Sequence, residues 1–201
     1  MMRPLNTRRQ FLITAGVAAT ATVLPLPAFA LSSEQAQGLV TSAVNDINTI
    51  IASGGSEAAM IRQFEGIFDR YADTVYIASF ALGNDRRSAS QSQIQAFVEA
   101  FRTYVAAKYG RRFREFIGGR ITVVNAKAVN SWIEVETTVA LRNQSPFRVD
   151  FHVSDRPGKP VFFNLIIEGV NMLLSERTEI GAMLDRRGGN IDALINDLRN
   201  S

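Results

Sequence analysis

The chain has 201 residues, of which 46% are apolar and 20% charged, a composition typical of a globular protein rather than a disordered one. It contains no cysteine, which excludes disulfides, thiolate metal sites and cysteine nucleophiles, and its single histidine, His152, excludes a histidine-rich metal centre. Arg3, Arg8 and Arg9 supply all of the formal net charge of +3, so the rest of the chain lacks the basic excess typical of nucleic-acid-binding proteins.

The first 30 residues have the order of segments found in a cleavable export signal. Basic residues come first, a mildly apolar stretch over 11–24 follows, and Ala28-Phe29-Ala30 ends the segment with the pattern of a signal-peptidase site. The run Thr7-Arg8-Arg9-Gln10-Phe11-Leu12 resembles the twin-arginine export motif. We therefore predict a twin-arginine-type signal peptide over 1–30 and a single domain over 31–201. The alternative for the first segment is an N-terminal anchor helix.

The first half of the remaining chain is predicted to be helical. Apolar residues recur at helical spacing, and serine or aspartate residues stand where helices would begin. Ser90-Gln91-Ser92-Gln93 is a capping box, in which a serine hydroxyl and a glutamine side chain satisfy each other's free backbone N–H groups. The predicted helices cover 33–51, 56–71, 74–82 and 90–110, and a short turn follows over 111–117.

After Gly118-Gly119 the apolar period changes from 3.6 to 2, which indicates strands. Four strands are predicted, at 121–129, 132–142, 147–153 and 161–167. The second and third strands alternate apolar and polar residues, as in an antiparallel sheet that helices cover on one side. Two further helices are predicted at 171–187 and after Asn190. The predicted fold class is therefore α+β.

Four ordered stretches carry a resemblance to a known family. They are Phe80-Ala81-Leu82-Gly83 followed by Arg87; Phe97 to Phe101 followed by Tyr104 and Tyr109; Ile167-Glu168-Gly169-Val170 followed by Arg177; and Gly188 to Ile195. Together they span nearly the whole of 31–201, and the chain resembles the MlaC, or toluene-tolerance, family of periplasmic phospholipid-binding proteins. One departure is at 84–87, where the family usually has a tryptophan beside the arginine and this chain reads Asn-Asp-Arg-Arg.

The resemblance implies a lipid carrier located in the periplasm. In such a carrier, a curved four-stranded antiparallel sheet and a helical layer enclose an apolar cavity that holds the acyl chains of a phospholipid. The cargo is a phospholipid, and no cofactor, metal or catalytic residue is implied, so we expect a protein that is not an enzyme. The implied partners are an inner-membrane ABC transporter complex with MCE domains and an outer-membrane lipoprotein–porin complex, between which the carrier shuttles lipid.

Ten residues are predicted to line this cavity, because they lie on the apolar faces of the predicted elements. The helices contribute Phe80, Phe97, Phe101 and Val105, the sheet contributes Val135, Val139, Phe151, Leu165 and Ile167, and Met172 lies near the rim. Methionine suits a rim because its flexible thioether adapts to varied chains. Aromatic residues at helical spacing are also typical of a packed core, so the sequence predicts their faces better than their depth.

Two sets of charged residues allow both a structural and a functional interpretation. Glu168 and Arg177 can form an ion pair or a helix cap, or they can place a charge beside a lipid head group. A basic cluster of Arg102, Lys108, Arg111, Arg112, Arg114 and Arg120 can be a solvated helix face, or it can contact anionic head groups or an acidic partner.

Three other functions remain compatible with the sequence. The same cavity could hold a hopanoid or another hydrophobic ligand. An adaptor for the transporter would need surface patches but no cavity. A ketosteroid-isomerase-like enzyme would need a carboxylate base and a polarising tyrosine or acid inside the pocket. Asp150 and His152 share one face of the third strand, and the alternation pattern makes that face the outer one.

Overall fold

The computed structural model describes residues 31–201, except for the side chains of residues 112–114. The predicted export signal lies outside these residues. The elements run in the order α1 (Ser33–Ala52), α2 (Glu57–Tyr71), α3 (Thr74–Leu82), α4 (Gln91–Gly110), β1 (Arg120–Val129), β2 (Trp132–Ala140), β3 (Phe147–Ser154), β4 (Val161–Ile167), β5 (Val170–Asn171), α5 (Met172–Arg186) and α6 (Ile191–Arg199). Short 3-10 helices, Gly83–Arg87 and Arg111–Phe116, follow α3 and α4. Within 31–201, none of the helices has the length and apolar content needed to cross a bilayer.

The five strands form one open antiparallel sheet in the order β1-β2-β3-β4-β5. The prediction of four strands was wrong, because it missed β5. This strand has two residues and follows a tight turn in which Glu168 and Gly169 both have positive φ. A strand of two residues is too short to show the alternation that identifies strands in a sequence. The α+β class is confirmed.

Two apolar cores hold the helices in place. One core joins α1 and α2 to the inner face of the sheet, and the other joins α3, α4, α5 and α6 to one another. Asn48 fastens α1 to the edge strand β1, because its side chain exchanges two hydrogen bonds with the backbone of Ile121, at 3.2 and 3.3 Å. The predicted capping box at Ser90 and Gln93 is confirmed and opens α4. A space lies between the two cores, and residues of both cores line it.

Gly83 ends α3 in a backbone conformation, φ 68°, that residues with side chains rarely adopt. A Cβ at this position would lie 2.5 Å from Nη1 of Arg177. We therefore expect Gly83→Ala to lower the free energy of unfolding by about 2 kcal/mol, as measured by urea denaturation. Gly38→Ala is the control, since Gly38 lies in α1 with nothing within 4 Å of the added Cβ, and alanine should leave stability equal or higher. Equal midpoints for the two variants would contradict this account.

Candidate functional site

A cavity of about 540 Å³ lies between the inner face of the sheet and the helices. Its walls come from both cores, with α1 and α2 on one side, α4 and α5 on the other, and β2, β3 and β4 as the floor. The exposed residues Gln144, Glu168 and Val170 belong to its lining and mark where it opens to solvent. Its volume falls in the range of about 300–1,000 Å³ that is usual for ligand pockets.

The lining is mainly apolar and rich in phenylalanine. Phe162 packs edge to face against Phe68, with ring centroids 6.2 Å apart, and against Phe151, with ring centroids 5.6 Å apart. Edge-to-face packing of this kind holds aromatic rings in defined positions. The cavity is therefore walled by hydrocarbon side chains in defined positions, and these side chains do not fill it. The phenylalanines of the lining are Phe64, Phe68, Phe101, Phe116, Phe147, Phe151, Phe162 and Phe163.

The structure places seven of the ten predicted residues on the cavity wall. The alternation of side chains along a strand explains why the sheet residues were predicted correctly. Val139 on β2 and Phe151 on β3 point to the same face of the sheet as the buried Thr137. The seven are Phe101, Val105, Val139, Phe151, Leu165, Ile167 and Met172. Contact of these residues with a ligand stays a prediction.

The other three predicted residues lie away from this wall. Val135 shares the face of Val139 but is fully buried within the core that α1, α2 and the sheet form together. Phe97 stacks on Phe101 within the helical core and lines a separate pocket of about 210 Å³. Phe80 lies against Arg177 at the end of α3. Each lies on an apolar face, and only the packing of neighbouring elements decides that it misses the cavity.

Two polar residues of the cavity wall, Tyr109 and Glu176, belong to a group of polar residues that the sequence analysis missed. It is a polar cluster between α4 and α5 formed by Tyr104, Lys108, Tyr109, Glu176 and Glu179. Nζ of Lys108 lies 2.8 Å from Glu176 and 2.5 Å from Glu179, Tyr104 donates to Glu179, and Tyr109 donates to Glu176. Spacing indicates only that Glu176 and Glu179, three residues apart, share one face of a helix, and nothing in the sequence places Lys108 opposite them.

The polar cluster shifts the pKa of several of its members. Burial, followed by the hydrogen bond to Glu179, raises the pKa of Tyr104, and burial with the hydrogen bond to Glu176 raises the pKa of Tyr109. Burial disfavours the charged form of Lys108, but its hydrogen bonds to the two glutamates outweigh this and raise its pKa. Burial likewise opposes ionisation of Glu179, but the hydrogen bonds from Lys108 and Tyr104 lower its pKa overall. The tyrosines are therefore neutral and Lys108 is charged at pH 7.

The outer face of the sheet carries the acid and histidine considered for catalysis. Arg148 donates from Nε to both carboxylate oxygens of Asp150, at 2.7 and 2.9 Å. His152 stacks near Trp132 and lies 3.6 Å from Glu134, and its burial lowers its pKa despite that carboxylate. These side chains point away from the face on which Phe151 lines the cavity. The structure therefore does not bring Asp150 and His152 into the cavity.

Arg177 and Glu168 do not lie together in the structure. The contacts of Arg177 favour its structural interpretation. Its guanidinium donates to the backbone carbonyl of Phe80 at 3.0 Å and lies 5.5 Å from the centre of that ring. Arg177 therefore satisfies one of the free carbonyls at the end of α3. Glu168 is exposed at the mouth of the cavity, in the β4–β5 turn.

The basic cluster is partly accounted for by ion pairs. Arg102 lies 2.9 Å from Asp69 on α2, and Lys108 belongs to the polar cluster. These two residues have structural partners, which favours the first interpretation for them. Arg111 and Arg120 are exposed, and the side chains of Arg112 and Arg114 lie outside the described part of the chain.

No group of three or more histidine, aspartate or glutamate side chains within 31–201 is arranged to hold a metal ion. The polar cluster contains two carboxylates, but a lysine and two tyrosines occupy the positions around them. The site is therefore a cavity with a mainly apolar wall and a few hydrogen-bonding groups. Such an arrangement binds a molecule that is mostly hydrocarbon and has a small polar part.

Comparison with known proteins agrees with this geometry. A family model described as "MlaC protein" matches residues 40–200. The chain is also similar to the solved structure of the phospholipid-binding protein from Ralstonia solanacearum, which was determined in complex with a phospholipid. The two share 19% sequence identity and a TM-score of 0.69 over 83% of this chain and 96% of that chain, which shows a common fold. Because the family model matches most of the length of this chain, the chain belongs to the MlaC family.

Proposed function

We propose that this protein is a periplasmic phospholipid carrier that holds acyl chains in the cavity between its sheet and its helices. The observation that carries the proposal is the cavity itself, about 540 Å³ in volume, open at one side and walled by phenylalanine and aliphatic residues. The family membership and the phospholipid in the similar structure support it. The similar protein is described by phospholipid binding rather than by catalysis, which agrees with a protein that is not an enzyme.

The physical requirement is to shield hydrocarbon from water during transfer. Each methylene that leaves water contributes about 0.8 kcal/mol, so a chain of about sixteen carbons represents roughly 10 kcal/mol. A cavity that holds no stable water can provide this free energy by keeping the acyl chain away from water. The exposed mouth leaves the charged head group in solvent. We further propose that the carrier moves lipid between an inner-membrane MCE transporter complex and an outer-membrane lipoprotein–porin complex.

The test is to express the full chain, purify it from the periplasm and analyse it by native mass spectrometry. We expect the mass of the protein to equal that of a chain beginning at Leu31. We also expect a bound species whose fragments identify a phospholipid. After delipidation, the protein should take up lipid again from vesicles and deliver it to acceptor vesicles. A protein that is recovered empty and takes up no lipid would overturn the proposal. Recovery of a bound polycyclic triterpenoid instead would favour the hopanoid alternative.

A further inference from the structure

A second pocket, of about 210 Å³, lies between α3, the 3-10 helix that follows it and α4. Phe97 lines this second pocket and stacks on Phe101, which lines the lipid cavity, with ring centroids 5.8 Å apart. No described residue lines both spaces. The second pocket is therefore a separate site, and a molecule bound in it would not occupy the place of the acyl chains.

The inner part of the second pocket is apolar. Leu82 at the end of α3 is 4% exposed, and Phe97 on α4 is 1% exposed. Ile94 and Val98, which lie one turn apart on α4, complete the apolar part. The volume is below the range of about 300–1,000 Å³ that is usual for ligand pockets, and it equals the share of about seven water molecules in the liquid. A space of this size suits one apolar side chain better than an acyl chain.

The charged groups that line the second pocket are both cations. Arg86 and Arg87 belong to the 3-10 helix after α3 and are exposed. Neither arginine forms an ion pair with the side chains that the structure describes. Asp85 precedes them in the same helix but does not line the pocket. The two guanidinium groups can therefore donate to carboxylates that come from outside the chain.

We propose that the second pocket is a docking site for an acidic segment of a partner protein. One apolar side chain of that segment enters the pocket, and carboxylates beside it pair with Arg86 and Arg87. An apolar anchor in a buried pocket with arginines next to it is a composition typical of interface hot spots. A protein segment suits this pocket better than a free small molecule, because a segment makes further contacts outside it that offset the cost of association. This inference goes beyond the proposed function, since it concerns a different site.

The probe is a capped peptide, Asp-Glu-Phe-Glu-Asp, which is compared with two matched peptides. In one, alanine replaces the phenylalanine and removes the apolar anchor. In the other, lysine replaces every acidic residue and reverses the charge. The alanine peptide should bind at least about tenfold more weakly, because it buries no ring. The lysine peptide should show no measurable binding, because it brings cations beside Arg86 and Arg87.

The matched variants are the double variant Arg86→Gln with Arg87→Gln, and Arg62→Gln. Glutamine removes each charge but keeps a polar side chain. All three arginines are exposed, so we expect the variants to fold as the wild-type protein does. The double variant should bind the phenylalanine peptide about tenfold more weakly. Arg62 lies on α2 and lines neither space, so Arg62→Gln should keep the wild-type affinity.

The measurement is titration of the full-length mature protein, loaded with phospholipid so that the cavity is occupied, and followed by NMR of the backbone amides. Shifts should be largest at Leu82, Ile94 and Val98. Absence of binding, equal affinity of the phenylalanine and alanine peptides, or shifts elsewhere would overturn the inference. Equally tight binding of free phenylpropionate would also overturn it, because the pocket would then be a site for a small molecule.

The same samples separate this inference from the proposed function. Native mass spectrometry reports whether phospholipid is bound before the peptide is added. A protein that takes up no phospholipid would overturn the proposed function, and the peptide titration of that lipid-free protein would still decide the docking inference from the positions of the shifts. A protein that binds phospholipid but not the peptide would overturn the docking inference alone.

Discussion

Replacing Val139 with tryptophan is expected to abolish stable retention of phospholipid while the protein remains folded. Val139 lies on β2, is 2% exposed and forms part of the cavity floor. The indole would occupy space that acyl chains need, and excluding about three methylenes at about 0.8 kcal/mol each lowers affinity by more than tenfold. Overpacking usually costs about 1–3 kcal/mol, but here the added ring enters an existing cavity, so lipid-free stability should change by less.

The matched control is Thr138→Trp, one residue away on the same strand. The side chain of Thr138 points to the outer face of the sheet, because successive residues of a strand face opposite sides. Lipid retention is measured for both variants by native mass spectrometry after purification, and by rebinding after delipidation. Equal retention by the two tryptophan variants would show that the cavity floor does not hold the lipid.

The Lys108→Met variant is expected to lose about 3 kcal/mol of folding stability at pH 7. The substitution keeps an unbranched side chain, one atom shorter than that of lysine, but removes the cation that contacts both Glu176 and Glu179. Glu176 is almost fully buried, so the variant would leave a carboxylate without its counter-charge inside the protein. The measurement is urea denaturation of lipid-free protein, because bound lipid would add its own stabilisation.

The effect of Lys108→Met should depend on pH in a defined direction. In the wild-type protein, the pKa of Glu179 is lowered below its ordinary value of 4.5, because hydrogen bonds from Lys108 and Tyr104 outweigh the effect of burial. A lowered pKa contributes stability above about pH 4.5, and this stability is lost as the pH falls through the folded-state pKa. The wild-type protein and the variant should therefore differ most at neutral pH and converge in acid.

The Lys127→Met variant is the control for this prediction, because it removes the same side chain from an exposed ion pair. Nζ of Lys127 lies 2.9 Å from Glu134, and the lysine side chain is 57% exposed. Exposed pairs of this kind contribute about 0–1 kcal/mol, so the loss should be small. If Lys108→Met unfolds at the same urea concentration as Lys127→Met, the polar cluster contributes no more to stability than a surface ion pair.

Much of the local structure could be predicted from the residues. The bounds predicted for α3 and β4 agree with the structure, because Asp73 and Gly83 delimit the helix and a continuous apolar run marks the strand. The end of β2 was predicted two residues too late, since the alternation continues to Leu141 and Arg142 after pairing with β1 has ended at Ala140. Patterns of side chains indicate which faces are apolar, but hydrogen bonds between strands decide where a strand ends.

The candidate site could be predicted only in part. Val139 and Val135 lie on the same face of β2 and belong to the same core, but only Val139 reaches the cavity, whereas Val135 is fully buried. The polar cluster was missed because Lys108 and Glu176 are 68 residues apart and meet only when α4 and α5 are placed on the same side of the cavity. The sequence analysis placed Lys108 in a basic cluster and assigned no role to Glu176.

The sequence by itself determined the export-signal pattern, the order and type of most elements and the apolar face of each, since these follow from spacing, capping residues and turn residues. Tertiary structure decided where the two cores stop short of each other and leave a cavity, and which glutamate lies on its wall. The physical reason is that periodicity specifies direction within one element, whereas a cavity is a distance between several elements. The depth at which α1, α4 and α5 sit against the sheet sets that distance, and it depends on all of their side chains together.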